Sequence, residues 1–180
     1  MNLLWLDLEM SGLDVASCRI LEVAAIVTDI RLKELETYEA IVYQPPEVLS
    51  AMDSWCKDHH GKSGLTKAVA TGKPELEVEA DLLALIERHF KKDERAVLAG
   101  NSISTDREFV RAYWPRLAAR LHYRLLDVSS FKVVLRERFG IKVEKVGAHR
   151  ALGDIRESIQ ELESYLGYLD RSKLPNPGGL

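Results

Sequence analysis

The stretch Leu4-Trp5-Leu6-Asp7-Leu8-Glu9-Met10 is an apolar run interrupted only by two acidic residues, and it predicts a buried strand. Because strand side chains alternate between faces, Asp7 and Glu9 share one face and lie roughly 7 Å apart along the chain. Two carboxylates there repel each other and lose hydration, which is costly unless a cation compensates. Since hard cations such as Mg²⁺ prefer oxygen ligands, we interpret the pair as half of a metal site.

Two further strand-like runs follow, at residues 20–28 and at about 35–42. The connections between the three runs are short, which favours antiparallel pairing of neighbours. Gln44-Pro45-Pro46 then breaks regular structure. The segment 48–72 has weak periodicity, and we expect it to form short helices and loops that carry function rather than core.

The rest of the chain alternates between helices and strands. Helices are predicted from Pro74, over 104–114 and over 130–139, with strands at 96–100 and 125–128. A last helix has a predicted buried stripe at helical spacing, formed by Ile155, Ile159, Leu162, Leu166 and Leu169. Antiparallel strands followed by strand–helix alternation imply an α/β fold with a mixed sheet. We expect one domain over 1–170 and a disordered tail over 171–180.

Composition limits the classes of protein that the chain can belong to. With 180 residues, 46% of them hydrophobic and 29% charged, it fits one globular domain. The formal net charge of -3 argues against a protein that grips long nucleic acid through many phosphates, but it permits a short nucleic-acid ligand. Cys18 and Cys56 lack metal-ligand spacing and fit a reducing compartment. No signal peptide or spanning run is visible, so we expect a cytoplasmic location.

Three more residues extend the acidic pair into a larger constellation. Asp106 follows a predicted strand at the start of a helix, where α/β sheets commonly place ligands. Asp154, near the start of the last helix, should face inward at the edge of the apolar stripe. His149 can face the same site only from the loop that enters this helix, because five residues within one helix would turn the side chains about 140° apart.

Such a set suits phosphodiester hydrolysis with two metal ions. Two Mg²⁺ about 3.5–4 Å apart would hold the attacking water and the leaving oxygen on opposite sides of the phosphorus. His149 would accept the proton from water, as a mostly neutral histidine can at cellular pH. Taken singly, Asp106 could instead be a carboxylate favoured by the helix dipole, and Trp55 would more often be a core residue.

Several segments resemble the motifs of the DEDDh family of 3′-to-5′ exonucleases. The family motifs correspond to Trp5-Leu6-Asp7-Leu8-Glu9-Met10-Ser11-Gly12-Leu13, to Gly100-Asn101-Ser102 with Asp106, and to His149-Arg150-Ala151 with Asp154. Four other segments resemble the branch of this family that degrades very short RNAs. They are Met52-Asp53-Ser54-Trp55, His59-His60-Gly61-Lys62-Ser63-Gly64-Leu65, His122-Tyr123-Arg124 and Leu126-Asp127-Val128-Ser129. The resemblance extends from about residue 3 to residue 167.

This resemblance implies a ribonuclease H-like fold, with a mixed five-stranded sheet flanked by helices, and a homodimer. It implies that Asp7, Glu9 and Asp154 bind two divalent metal ions, Mg²⁺ or Mn²⁺. Asp106 would help to hold the second ion through water, and His149 would be the general base.

The resemblance also implies a site for a dinucleotide. Leu13 would wedge between the two bases, Trp55 would stack on one of them, and His60 would contact the 3′ nucleotide. A cap on the 5′ phosphate would be formed by Ser102, Arg124, Ser129 and Ser130, with Tyr123 supplied across the dimer interface. An aromatic face binds any base, worth about 1–3 kcal/mol per stack, and a closed cap would reject longer chains by clash.

Two other functions stay open at this point. A related exonuclease that acts on longer single-stranded RNA or DNA ends would show a steeper salt dependence of binding. A catalytically silent RNA-binding or scaffold module would be expected to have lost an acidic ligand, and all four are present. We therefore expect a 3′-to-5′ exoribonuclease that hydrolyses very short RNAs, especially dinucleotides, to nucleoside 5′-monophosphates.

Overall fold

The structure is a computed structural model that describes residues 1–143 and 151–169. The first half of the chain contains β1 (Asn2–Met10), β2 (Ile20–Asp29), β3 (Glu34–Ile41), α1 (Pro46–Ala51), α2 (Ser54–Ser63), α3 (Leu65–Ala68), a 3-10 turn (Val69–Thr71) and α4 (Glu75–His89). The second half contains β4 (Ala96–Gly100), α5 (Ser104–Tyr113), α6 (Pro115–Arg120), β5 (Leu121–Asp127), α7 (Val128–Phe139) and α8 (Ala151–Gly167).

The five strands form one mixed sheet in the order β3-β2-β1-β4-β5. β1 lies in the centre, antiparallel to β2 and parallel to β4. β3 pairs antiparallel with β2, and β5 pairs parallel with β4. The predicted α/β architecture, a mixed five-stranded sheet flanked by helices, is therefore confirmed.

Helices cover both faces of the sheet, and the alternation of β1 assigns its side chains to two cores. Leu4, Leu6 and Leu8 pack in a cluster with residues of α4, α5 and α6. Leu3 and Trp5 pack in a second cluster with residues of α7 and α8. Because Asp7 and Glu9 continue the odd-numbered series, they lie on the face that α8 covers.

Two elements differ from the sequence-based expectation: β5 starts earlier than predicted, and α6 is an additional helix. β5 begins at Leu121 rather than near 125, since Ala96 of β4 pairs with Leu121. It is an edge strand whose exposed Tyr123 and Arg124 interrupt any apolar pattern. α6 was not predicted; Pro115 occupies its first position, where a proline costs no backbone hydrogen bond.

Two predictions about burial were partly wrong. The segment 48–72 has an apolar cluster of its own, formed with Leu21 by Met52, Cys56, Leu65 and Val69. In α8, Ile155, Ile159 and Leu162 are buried as predicted, but Leu166 and Leu169 are 38% and 49% exposed. Tyr165 takes the next buried position, and α8 ends at Gly167, so the stripe stops one turn early.

None of the helices in the described part of the chain has the length and apolar character needed to cross a membrane. The predicted tail at 171–180 lies outside the described residues, and the domain boundary at 170 stays a prediction.

Candidate active site

Three carboxylates meet where β1 and α8 pack together. Ligand oxygens of Asp7, Glu9 and Asp154 all lie within 4.8 Å of one another. The first two project from the odd-numbered face of β1, and Asp154 lies in the first turn of α8. Its helical neighbours Ala151 and Ser158 are buried, so this side of α8 faces inward as predicted.

A fourth carboxylate approaches from α5. Asp106 is buried, and its Oδ1 accepts a hydrogen bond of 2.9 Å from the backbone N–H of Leu8. Its charge helps to raise the pKa of Asp7, but it is not one of the three residues whose oxygens meet. This position is compatible with the predicted role of holding an ion through water.

The electrostatics of the group favour a bound cation. Burial, followed by repulsion from Asp106, raises the pKa of Asp7 to about 8. Burial likewise raises the pKa of Asp106 to about 7, and it raises the pKa of Glu9 even though His60 and His59 act in the opposite direction. An all-carboxylate donor set suits hard divalent ions such as Mg²⁺ and Mn²⁺, so these residues fit the predicted metals.

A cleft adjoins the carboxylates on the side of Glu9. It has a volume of about 450 Å³ and is lined by residues that include Leu13, Trp55 and His60. Leu13 is 77% exposed and Trp55 is 67% exposed, so Trp55 is not a core residue. The indole ring stacks on His59 with ring centroids 4.8 Å apart and planes inclined by 8°. Sequence reasoning assigned no role to His59, which supports this ring.

His60 connects the cleft with the carboxylates. The side chain is 2% exposed, and its Nε2 lies 2.9 Å from the carbonyl oxygen of Met10. Its Nδ1 lies 4.0 Å from Glu9 Oε2. His60 belongs to α2, and these contacts fix its buried ring against β1.

A pair of hydroxyl groups lies where β4 and β5 end. The backbone N–H of Ser102 donates to Ser129 Oγ (2.8 Å) and to Asp127 Oδ1 (3.0 Å). The two serine Oγ atoms are 3.2 Å apart. Ser102 has a φ of 50°, a conformation that costs a non-glycine residue roughly 1–2 kcal/mol. These hydrogen bonds hold it there.

Asn101 joins this hydroxyl pair to α8, a role that sequence reasoning missed. Its Oδ1 accepts from Ser129 Oγ (3.2 Å), and its Nδ2 donates to Ser158 Oγ (2.7 Å) and Glu161 Oε2 (3.1 Å). The spacing of Asp154, Ser158 and Glu161 places all three on one side of α8. Polar residues at that spacing beside an apolar stripe were the signal that could have revealed the network.

The remaining predicted substrate residues lie apart from these groups. Ser130 is exposed and lines an apolar groove between α7 and α8. Tyr123 and Arg124 are exposed on β5, with the guanidinium carbon 5.1 Å from the centroid of the tyrosine ring. In residues 1–143 and 151–169, neither Ser102 nor Ser129 has any of these three as a hydrogen-bond partner. His149 lies outside the described residues.

A central strand that carries an acidic centre beside a nucleotide-sized cleft is the arrangement of a nuclease. Residues 4–162 match the family model of RNase T, described as exonuclease, and the chain belongs to this exonuclease family. This membership confirms the prediction of a nuclease.

Within the family, similar relatives are oligoribonucleases. The chain is 44% identical over 167 residues to the oligoribonuclease of Francisella tularensis subsp. tularensis (strain WY96-3418), covering 91% of this chain and 93% of that one. It is 41% identical over 179 residues to the mitochondrial oligoribonuclease of Homo sapiens, covering 96% of this chain and 75% of the relative.

Solved structures of exonuclease I share the fold. The enzyme from Methylocaldum szegediense has a TM-score of 0.71 at 20% identity, over 96% of this chain and 41% of its own. A zinc-bound complex of E. coli exonuclease I with single-stranded DNA has a TM-score of 0.71 at 19% identity, over 90% of this chain and 39% of its own. The chain thus spans about two fifths of these exonuclease I chains.

The raised pKa values predict how the metal-free protein responds to pH. In the unfolded chain Asp7 and Asp106 ionise near pH 4, whereas in the folded protein their pKa values are about 8 and about 7. Between pH 4 and these folded-state pKa values the folded protein binds more protons than the unfolded chain. The free energy of unfolding therefore falls as pH rises. Asp7→Asn should flatten this dependence by at least about 1 kcal/mol between pH 5 and pH 8, since one pKa unit corresponds to about 1.4 kcal/mol.

The measurement is urea unfolding in EDTA at pH 5, 6, 7 and 8, for the wild type and for Asp7→Asn. Asp58→Asn is the matched control, because Asp58 is exposed and pairs only with Lys62 one turn away in the described structure. Parallel pH curves for wild type and Asp7→Asn would contradict the assignment of the raised pKa to this carboxyl.

Proposed function

We propose that this chain is a 3′-to-5′ exoribonuclease that hydrolyses very short RNAs, dinucleotides above all, to nucleoside 5′-monophosphates. The observation that carries the proposal is the position of Glu9, which belongs both to the carboxylate group and to the cleft of Leu13 and Trp55. A nucleotide whose base lies against Trp55 would therefore have its phosphate near the carboxylates. The relatives' name, oligoribonuclease, supports a short RNA substrate.

Two divalent ions, Mg²⁺ or Mn²⁺, are part of the proposal. Asp7, Glu9 and Asp154 would hold them, with Asp106 acting through water. When bound, the ions would supply an activated water and offset negative charge at the phosphate. The protein's own contribution is to hold these acidic side chains together against their mutual repulsion, so that little reorganisation is needed on binding.

The general base of the proposal is His149. It precedes the first residue of α8 by two positions and Asp154 by five. A base placed just before a helix that carries a metal ligand would reach the same site as that ligand. It would accept the proton of the attacking water, a contribution worth about 10²–10⁴ in rate.

Substrate length would be limited by contacts at both ends of a dinucleotide. Leu13 would separate the bases and Trp55 would stack on one, while His60 would contact the 3′ nucleotide. The hydroxyls of Ser102 and Ser129 would face the 5′ phosphate, together with Ser130 and Arg124. Such a cap neutralises few phosphates, which accords with a net charge of -3.

The active form proposed is a homodimer in which Tyr123 contributes to the partner's site. Its side chain is 69% exposed on the edge strand β5, far from full burial within its own subunit. The two sequence neighbours of Tyr123, His122 and Arg124, both contact its ring and hold it at the surface.

We propose that the enzyme is located in the cytoplasm.

A length series tests the substrate class. RNAs of two to about ten nucleotides, each 5′-phosphorylated, would be incubated with Mg²⁺, alongside DNA of the same lengths and EDTA controls. The dinucleotide should be cleaved at least about tenfold faster than the longer RNAs, the ratio that about 1.4 kcal/mol of lost cap contacts would produce. Equal or faster cleavage of the longer chains would keep the metal chemistry and favour the general exonuclease.

Replacing His149 tests the general base. His149→Ala should lower kcat by about 10²–10⁴ while KM for the dinucleotide changes little, because a base acts in the transition state and not in binding. His89→Ala is the control; His89 pairs with Glu36, away from the carboxylates, and its loss should leave kcat unchanged. A parallel loss in KM and kcat would assign His149 to substrate binding instead.

Mixing two inactive variants tests the supply of Tyr123 across the interface. Tyr123→Ala and Asp154→Asn homodimers should each be nearly inactive. After subunit exchange, half of the dimers are mixed and each has one complete site, so activity should recover to about a quarter of the wild-type value. Native mass spectrometry checks the exchange. Mixed dimers without recovered activity would place Tyr123 in its own subunit's site.

A further inference from the structure

Leu13 lies on a loop whose residues are mostly exposed or half-buried. Residues 11–19 connect β1 to β2, and Leu13 is exposed at the edge of the cleft. Ser11 and Arg19 close the loop at its base, with two hydrogen bonds of 2.9 Å between them. A wedge on such a loop needs a fixed position, because ordering a loop on binding lowers affinity.

The loop also folds on itself around Asp14. Oδ1 accepts from the N–H of Ala16 (3.2 Å) and Oδ2 accepts from Ser17 Oγ (2.5 Å). The backbone carbonyl of Asp14 accepts from the N–H of Cys18 at 2.8 Å. These bonds give the loop a shape, but they do not fix that shape relative to the rest of the molecule.

The loop is attached to the rest of the molecule by Val15 and Cys18, which pack against the larger core cluster, and by one hydroxyl group outside the loop. The Tyr113 hydroxyl lies 2.5 Å from the carbonyl oxygen of Val15 and 2.8 Å from that of Cys18, and it shares its single proton between them. It accepts a hydrogen bond of 2.6 Å from Arg19 Nη1, which also donates to the Cys18 carbonyl at 2.9 Å. Three positions of the loop are thus held by one side chain.

Tyr113 connects the loop to the acidic centre through α5. It lies seven residues after Asp106, which is two helical turns, so both residues point to the same side of the helix. Asp106 bonds the N–H of Leu8 in β1, while Phe109 and Val110 fix α5 in the core. α5 therefore links the loop to the strand that carries Asp7 and Glu9.

We propose that Tyr113 is a positioning residue for substrate binding, which holds Leu13 in the cleft that Trp55 also lines, at a fixed distance from the carboxylates. The proposal rests on the proposed function, in which Leu13 separates the bases of a dinucleotide. Tyr113 does not touch the substrate; it acts through the loop. Its loss affects the affinity for the dinucleotide much more than the chemical step.

The test is the substitution Tyr113→Phe, assayed with 5′-phosphorylated diadenylate and Mg²⁺. KM should rise about tenfold, the effect of about one net hydrogen bond, while kcat stays within about twofold. Tyr38→Phe is the matched control, because Tyr38 is partly buried, donates to Asp81 at 3.0 Å, and is not among the described residues that line the cleft of Leu13 and Trp55. An unchanged KM for Tyr113→Phe would overturn the proposal.

A double-mutant cycle shows whether Tyr113 acts through Leu13. Tyr113→Phe should raise KM far less in a Leu13→Ala background than in the wild type, since the wedge is then already absent. Full additivity of the two effects would overturn the proposal, because it would mean that the tyrosine acts independently of the wedge.

A measurement without substrate separates this proposal from the proposed function. Hydrogen exchange of the peptide that covers residues 11–19 should be about tenfold faster in Tyr113→Phe than in the wild type or Tyr38→Phe. Unchanged protection would overturn the attachment. If the wild type fails to cleave the dinucleotide while the loop loses protection as expected, the proposed function fails and the attachment stands.

Discussion

Repulsion among the carboxyl groups around the end of β1 is the constraint on which the rest of the structure depends. Asp7, Glu9 and Asp154 have oxygens within 4.8 Å of one another, and the pKa of Asp7 rises to about 8 in consequence of burial and neighbouring charge. Left to themselves, such groups would move apart into water. They stay together because β1 is fixed on both sides by neighbouring strands, and because apolar residues of α8 pack on the same face as Leu3 and Trp5.

The two faces of the sheet differ along β1: one is apolar throughout, and the other carries the carboxylates Asp7 and Glu9. Leu4, Leu6 and Leu8 belong to the larger cluster with α4, α5 and α6, from which Asp106 alone reaches the acidic site among the described carboxylates discussed above. The opposite face is apolar at one end of β1 and acidic at the other. α8 matches this gradient, since its apolar residues meet Leu3 and Trp5 while Asp154 meets Asp7 and Glu9. The hydrophobic contact thereby offsets the electrostatic cost of the acidic end.

The periodicity of β1 was enough to predict the shared face of Asp7 and Glu9, because a strand in the centre of a sheet shows its pattern clearly. The apolar stripe of α8 was likewise enough to predict that the side of this helix near Asp154 faces inward. β5 was harder to predict, since its middle residues face solvent and lack an apolar pattern. The role of Asn101 depends on partners 57 and 60 residues away, and that of Tyr113 on partners more than 90 residues away. The polar spacing in α8 indicates one side of the Asn101 network, but no local pattern identifies the partner on the other side.

Glu9 lies on the boundary between the carboxylate group and the cleft, and this position has a thermodynamic consequence. An ion on the carboxylates and a ligand in the cleft both act on the same side chain, so their binding free energies are coupled. The coupling is reciprocal: whatever factor the ion adds to the affinity for a ligand, the ligand adds to the affinity for the ion. The metal requirement of this protein is therefore a function of the ligand present, and a dissociation constant for the ion describes the free protein alone.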